Sequence, residues 1–262
     1  MKRVLNAKFI SIMLVLSISL AGCGVKSVTQ AVTENVVKAE TSKKSNDDAI
    51  RWFNASYAIL TKLNGNDYTL YGGVAINEQN TLKEKLLLER DWGVTDRKSA
   101  DETLDWALNE GHRSEFAELM EMFDAMGLSE VEHSGRLFWL IEEVEMEPEE
   151  AAQFIDFYEA YENKGAGAID AWDYSRALNL CSFYYAAGYY TKEEALDKSL
   201  EIAKIVQPIF ASWDEYVDSY LLGYEFWAQE SPEKRRQIYE ELKAGDDNPY
   251  SVDFKANLVK NW

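Results

Sequence analysis

The sequence predicts an all-α protein with a single compact domain of about eight to ten helices over residues 48–262. Apolar residues that recur at i, i+3, i+4 and i+7 indicate amphipathic helices in two places. One series is Trp213, Tyr216, Val217, Tyr220, Leu221, Tyr224 and Trp227, and the other is Ala195, Leu196, Ser199, Ile202, Ala203 and Val206. No internal repeat of fixed period is visible, so a solenoid is not expected.

Helix starts are marked where Ser or Thr is followed three residues later by Glu, because this capping box satisfies free backbone N–H groups. Five pairs fit the pattern: Thr81 with Glu84, Ser99 with Glu102, Ser129 with Glu132, Thr191 with Glu194, and Ser212 with Glu215. Pro148 is expected to open a helix that runs towards residue 163. The first helix is expected over residues 48–63, and residues 68–76 are a candidate for one small β-hairpin.

The N-terminus carries an export signal. Lys2, Arg3 and Lys8 precede the uncharged segment 9–20, which is shorter than the ~20 residues that span a bilayer. A Leu-Ala-Gly-Cys sequence ends at Cys23 and resembles the lipobox of bacterial lipoproteins. Residues 1–22 are therefore expected to be a signal peptide and Cys23 to carry the lipid. An ordinary secretory signal, in which Cys23 is incidental, is the alternative.

Residues 23–47 are expected to form a flexible tether behind the lipidated cysteine. The segment after Cys23 has no aromatic residue and no clear period, so it cannot bury enough apolar surface to offset its ordering entropy. We expect the domain to be lipid-anchored to the cell membrane on its extracytoplasmic side. The membrane is then one partner, bound through the lipid on Cys23.

Composition limits the other partners. The formal net charge of −19 disfavours nucleic acid and anionic lipid headgroups, which an acidic surface repels. With Cys23 committed to lipid, Cys181 is left without a disulfide partner. Its aromatic-rich helix favours a buried thiol that acts as a small hydrophobic group, rather than a nucleophile.

No catalytic motif is visible. His112 and His133 stand far apart, neither in a zinc-binding spacing, and the sequence lacks a G-x-S-x-G elbow and both glycine-rich nucleotide loops. No catalytic residue is therefore assigned, and no cofactor or metal is expected.

Arginines and aspartates placed among tryptophans are the candidate site residues. Asp173 and Arg176 stand three apart and so share one helix face. In one interpretation these side chains form ion pairs that lock loops onto the core. In the other they line a pocket, where arginines receive an anionic ligand beside stacked tryptophans. The full set is Trp92, Asp96, Arg97, Arg113, Trp172, Asp173, Arg176 and Trp213.

Several ordered motifs stand out in residues 52–227. They are Trp92-Gly93-Val94 with Asp96-Arg97, Gly111-His112-Arg113 with Phe116, Ala171-Trp172-Asp173-x-x-Arg176, Gly188-Tyr189 with Glu193-Glu194-Ala195, and Ser212-Trp213-x-x-Tyr216 with Gly223 before Phe226-Trp227. Together these motifs resemble the DUF1266 family. The resemblance implies an α-helical domain of bacterial proteins whose role is unknown. It supplies no catalytic residue.

Three functional hypotheses remain. The leading one is a non-enzymatic envelope lipoprotein whose helical domain binds an unknown protein or small-molecule partner. The alternative is an envelope hydrolase that uses carboxylates such as Asp173 and Asp96 in an aromatic-lined cleft. A third is toxin neutralisation, in which the acidic surface meets a basic partner.

Overall fold

The computed structural model describes residues 47–262, and all of them belong to one compact unit. The predicted signal peptide, Cys23 and the predicted tether up to residue 46 lie outside the described residues. Within residues 47–262, eleven α-helices follow one another: α1 (Asp48–Ser56), α2 (Ala58–Leu63), α3 (Glu78–Trp92), α4 (Arg97–Asn109), α5 (Gly111–Ala125), α6 (Arg136–Glu142), α7 (Pro148–Lys164), α8 (Asp170–Ala186), α9 (Lys192–Val206), α10 (Trp213–Ala228) and α11 (Glu233–Ala244). Short 3₁₀ helices are Leu128–Glu130, His133–Gly135, Gly165–Ile169 and Pro249–Ser251. The all-α prediction is confirmed, with no strand in residues 47–262.

The predicted hairpin at residues 68–76 is wrong, because this segment forms consecutive turns. The N–H of Leu70 donates to the carbonyl of Asp67 and the N–H of Gly73 donates to that of Leu70, so both bonds close within the loop. Gly72 and Gly73 both have positive φ, which bends the chain repeatedly. At Gly72 the loop packs closely on α8, because an added β-carbon would lie 3.2 Å from the carbonyl oxygen of Ser182.

Helix α8 is the centre of the domain. Thirteen of its seventeen residues are buried, and α1, α3, α4, α5, α9 and α10 pack against it. A helix that is buried on nearly all sides has to be surrounded by others, and its polar groups need partners inside the protein. Ser175, for example, donates to the carbonyl of Ser56. The candidate residues Trp172, Asp173 and Arg176 therefore start from a rigid, enclosed position.

Some of the observed helix starts are those predicted from the sequence. Thr191 and Glu194 form the predicted capping box of α9, and Pro148 opens α7. Ser212 caps α10 by accepting from the N–H of Glu215.

Two predicted starts are displaced by better caps upstream. Asn77 caps α3 four residues before Thr81, and Asp96 caps α4 three residues before Ser99. Asn is a stronger N-cap than Thr, so α3 extends back to Asn77. Asp96 and Ser99 form a reciprocal capping box, so α4 begins after Asp96. Ser129 lies in a 3₁₀ turn and starts no α-helix. The predicted first helix over 48–63 is divided at Tyr57 into α1 and α2.

Candidate functional site

The carboxylate of Asp173 joins α8 to the first turn of α5. It accepts hydrogen bonds from the backbone N–H groups of His112 and Arg113, both at 3.0 Å. The residue that precedes α5, Glu110, makes no side-chain cap of its own. Free N–H groups at a helix start favour a nearby negative charge. Asp173 thus caps α5 from a helix some 60 residues later in the chain.

Gly111 makes this contact sterically feasible. A β-carbon built at this position would lie 2.3 Å from Oδ2 of Asp173, which no real side chain tolerates. The φ angle of Gly111 is +62°, a conformation that costs other residues energy. Both facts require glycine directly before His112.

Arg113 performs the complementary role at the end of α4. Its guanidinium donates to the carbonyls of Ala107 and Leu108 and lies 3.4 Å from the carboxylate of Asp170. It also covers the ring of Tyr174 at 4.7 Å. Positive charge is favourable at a helix C-terminus, where carbonyls lack partners. The end of α4 and the start of α5 are therefore capped by side chains within one corner.

Arg176 completes the network. Its Nη2 donates to Asp173 at 2.7 Å and to Nδ1 of His112 at 2.5 Å. The guanidinium also covers the rings of Trp172 and Trp92, at 4.4 and 5.5 Å from their centroids. It is held between a carboxylate and two aromatic faces, which offsets the cost of burying it.

The charge states of the corner follow from its contacts. A guanidinium has only donors, so Nδ1 of His112 has to accept, and a neutral imidazole carries its proton on Nε2. Burial lowers the pKa of His112, which favours this neutral form. Burial alone would raise the pKa of Asp173, but the hydrogen bonds from His112 and Arg113 and the charge of Arg176 outweigh it and lower that pKa. Asp173 is ionised and balances Arg176.

Trp172 packs where α8 and α10 approach most closely. A β-carbon at Gly223 would lie 2.3 Å from Cβ of Trp172, so only glycine permits this crossing. The indole contacts Tyr220, Tyr224 and Trp227 at centroid distances of 5.4 to 5.9 Å. We refer to Gly111, His112, Arg113, Trp172, Asp173 and Arg176, with Trp92 beside them, as the α5 corner.

The other three predicted residues lie apart from the α5 corner. Asp96 caps α4 by accepting from the N–H of Ser99 at 2.8 Å. Arg97 is exposed and pairs with Asp101 and Glu194, both at 2.7 Å.

Trp213 belongs to a separate aromatic cluster. Its ring packs on Trp52 and Phe254, at centroid distances of 5.2 and 4.9 Å, and its Nε1 donates to the carbonyl of Val252. The structure therefore brings together Trp92, Arg113, Trp172, Asp173 and Arg176, while Asp96, Arg97 and Trp213 hold other parts of the fold.

Sequence reasoning missed the roles of three residues of this region. From the sequence, His112 is considered as a metal ligand and as part of a motif, and Gly111 and Gly223 only as parts of motifs. A glycine immediately before a helical His-Arg pair is a usable signal, because glycine there indicates a close approach by another chain segment.

The charged side chains of the α5 corner are enclosed and paired with one another. Asp173 has no exposed surface, and the side chains of Arg113 and Arg176 are about nine-tenths buried. This geometry favours a network that locks the fold. A cavity of about 80 Å³ lies elsewhere, beside Arg51 and Pro249, and none of the eight predicted residues lines it.

Two further observations concern the described part of the chain. None of the helices in residues 47–262 is both long and apolar enough to cross a bilayer. No group of three His, Cys, Asp or Glu in the same residues is placed to hold a metal ion.

The fold and corner define an all-α domain whose polar motifs hold helix ends together. The chain belongs to the DUF1266 family, because residues 87–254, well over half of its length, match the model described as "Protein of unknown function (DUF1266)". The matched region runs from the middle of α3 past α11 and contains the whole α5 corner. It starts and ends later than the motif region 52–227. Comparisons with curated proteins and with solved structures gave no match.

Proposed function

We propose that this protein is a lipid-anchored protein of the bacterial envelope whose DUF1266 domain is a non-catalytic binding module. The observation that carries the proposal is the complete burial of Asp173 and its use as a helix cap. The most distinctive polar residues of the domain are occupied by contacts within the fold. Function is then left to the outer surface.

Two groups that chemistry could use, Asp173 and Cys181, are withdrawn from solvent. A general acid or base has to come within hydrogen-bond reach of its substrate, and Asp173 has no surface through which to do so. Burial raises the pKa of the Cys181 thiol to about 12, so the thiolate required of a nucleophile is scarce at neutral pH. These two facts favour binding over the hydrolase alternative.

The outer surface carries apolar side chains in a chain of high negative charge. Phe138 is 68% exposed, and its neighbour Leu137 is 43% exposed. Single exposed apolar residues are common, but adjacent ones on an otherwise charged surface are typical of interaction sites. This arrangement supports a protein partner.

The membrane anchor is supported by the Leu-Ala-Gly-Cys motif, whose last residue is Cys23. A diacylated cysteine buries many methylenes, each of which contributes about 0.8 kcal/mol, so two chains give stable attachment. Such an anchor would place the domain on the extracytoplasmic face, where a partner would also have to be.

Membrane fractionation of the full chain in its host tests the anchor. Wild type is expected in the membrane pellet, and Cys23→Ala in the soluble fraction with an unchanged helical circular dichroism spectrum. Cys181→Ala is the matched control and should stay in the pellet. Membrane retention of Cys23→Ala would overturn the anchoring part of the proposal.

Cross-linking in intact cells tests the binding module. The lipidated protein is expected to yield a defined cross-linked species that is lost on overexpression of an unlabelled copy. Failure to recover any competed species, with the protein folded and anchored, would contradict a partner-binding role.

A further inference from the structure

Negative charge is concentrated in one part of the domain. Residues 114–163 contain fifteen Asp and Glu but a single arginine and no lysine, within a chain that has 46 acidic and 27 basic residues in total. The arginine, Arg136, is buried and neutralised by Glu162 through contacts of 2.5 and 2.7 Å. This segment, which spans most of α5 together with α6 and nearly all of α7, therefore holds most of the net charge of the protein.

A short helix within this acidic region has an exposed apolar side. On α6, Leu137 and Phe138 are exposed and Ile141 is half-buried, while Arg136 and Leu140 on the opposite side are buried. We call Leu137, Phe138 and Ile141 the α6 face. A dense acidic run begins at the end of α6 and continues through the following loop into the first turn of α7. It is made up of Glu142, Glu143, Glu145, Glu147, Glu149 and Glu150.

The α6 face is rigidly mounted. The guanidinium of Arg136 binds Glu162 on α7 and covers the ring of Tyr158 at 5.0 Å. Tyr158 in turn donates to Asp124 at the end of α5. Behind the face Leu140 is fully buried, and its carbonyl accepts from the N–H of Met146. Little conformational entropy remains to be lost when a ligand docks on such a surface.

We propose that the α6 face docks a cationic amphipathic segment of a partner protein, with Lys or Arg residues that flank one or two apolar anchors. The proposal rests on the proposed binding function and names its surface and the chemistry of its partner. Phe138 and Leu137 supply the apolar contact. The surrounding carboxylates attract the basic residues over a distance and select against neutral partners.

The same charge argues against two other occupants. An anionic lipid surface would be repelled by the acidic run next to the α6 face. A second copy of this chain would bring two acidic rims together, and like charges in an interface are costly. A basic polypeptide is the occupant that the charge favours.

The test uses the full lipidated chain in detergent micelles and a fluorescent helix-forming peptide of leucine and lysine about four turns long. Anisotropy titrations should show saturable binding that weakens as salt is raised. The variant Leu137→Ser with Phe138→Ser should bind the peptide about tenfold more weakly. A peptide with glutamate in place of lysine should not bind.

The matched control lies on α3. Leu82 and Leu86 are also largely exposed, at 60% and 57%, but they lie outside the acidic segment and beside Lys83 and Lys85. The variant Leu82→Ser with Leu86→Ser should leave peptide binding unchanged. The four substituted side chains, Leu82, Leu86, Leu137 and Phe138, are all exposed, so both variants are expected to fold. Circular dichroism checks this.

Several outcomes would overturn the proposal. They are equal loss of binding in the α3 and α6 variants, no loss in the α6 variant, or binding of the glutamate peptide as tight as that of the lysine peptide. If the Cys23→Ala chain binds anionic vesicles and only the α6 variant abolishes this binding, the α6 face binds lipid. If the chain sediments as a dimer and only the α6 variant abolishes the dimer, the α6 face serves self-association. If the α6 variant still cross-links its partner in cells, this surface is wrong while the binding function stands.

Discussion

The carboxylate of Asp173 lies directly against Gly111 and occupies the space that a side chain at position 111 would need. The contact connects the start of α5 to the central helix α8 and brings Arg113, Arg176 and His112 around one buried negative charge. The stability of the domain should therefore depend strongly on this pair.

Gly111→Ala should lower the free energy of unfolding by more than the cost of backbone strain at position 111 alone. A residue with a β-carbon at positive φ costs about 1–2 kcal/mol, and overpacking against Asp173 adds about 1–3 kcal/mol. Gly188→Ala is the control, because Gly188 also has positive φ but nothing within 4 Å of an added β-carbon. Urea unfolding measures both, and equal losses would contradict the steric role of Asp173.

Asp173→Asn should lower the free energy of unfolding by about 3–5 kcal/mol at neutral pH, because it leaves Arg176 buried without its counter-ion. Asp96→Asn should change it little, since asparagine caps α4 as well as aspartate does.

The effect of Asp173→Asn should also depend on pH. The pKa of Asp173 is lowered in the folded state, so the stabilisation by its charge is complete above the ordinary value of 3.8 and is lost as pH falls through the folded-state pKa. The difference between wild type and variant should therefore be largest at neutral pH and shrink in acid. Denaturant titrations at several pH values measure it, and a constant difference would count against an ionised Asp173.

Thr191→Ala should lower the free energy of unfolding by about 1 kcal/mol, which is the usual contribution of an N-cap. Thr191 accepts from the N–H of Glu194, and Glu194 accepts in return from the N–H of Thr191. Thr81→Ala should cost less, because Thr81 lies inside α3 and alanine is the better helix former. Thermal or urea unfolding compares the two, and the opposite ranking would refute this assignment of caps.

Cys181 should be unreactive in the folded protein. Its thiol is fully buried, and its pKa is raised to about 12 by that burial. In the Cys23→Ala chain, a thiol reagent should label Cys181 only after denaturation, at a rate set by unfolding. Rapid labelling under native conditions would show an open path to the centre of α8.

Much of the fold was predictable because helices depend on local sequence. The series from Trp213 to Trp227 placed α10, and Thr191 with Glu194 placed the start of α9. The starts of α3 and α4 were misplaced because Asn77 and Asp96 compete with the nearby Thr81 and Ser99 as caps. The hairpin failed because the turns at Gly72 are set by contact with Ser182, which is far away in sequence.

The α5 corner was predictable only in its local part. Asp173 and Arg176 were placed on one face by their spacing along a helix, and their contact is of that local kind. The contacts of Asp173 with His112 and Arg113 join residues about sixty positions apart, as the packing of α5 against α8 requires. Asp96, Arg97 and Trp213 were grouped with them by residue type, which says nothing about distance.

Helical periodicity, the acidic composition and the unpaired Cys181 are properties of residue order and content, and they can be read before any folding. Whether the arginines and aspartates open onto a pocket or close onto one another depends on how helices pack. Two glycines decide it here, since Gly111 admits the carboxylate of Asp173 and Gly223 brings α10 onto Trp172. Buried charges are tolerated only when they are paired, and the partners of Asp173 on α5 are in place only once α5 has packed against α8.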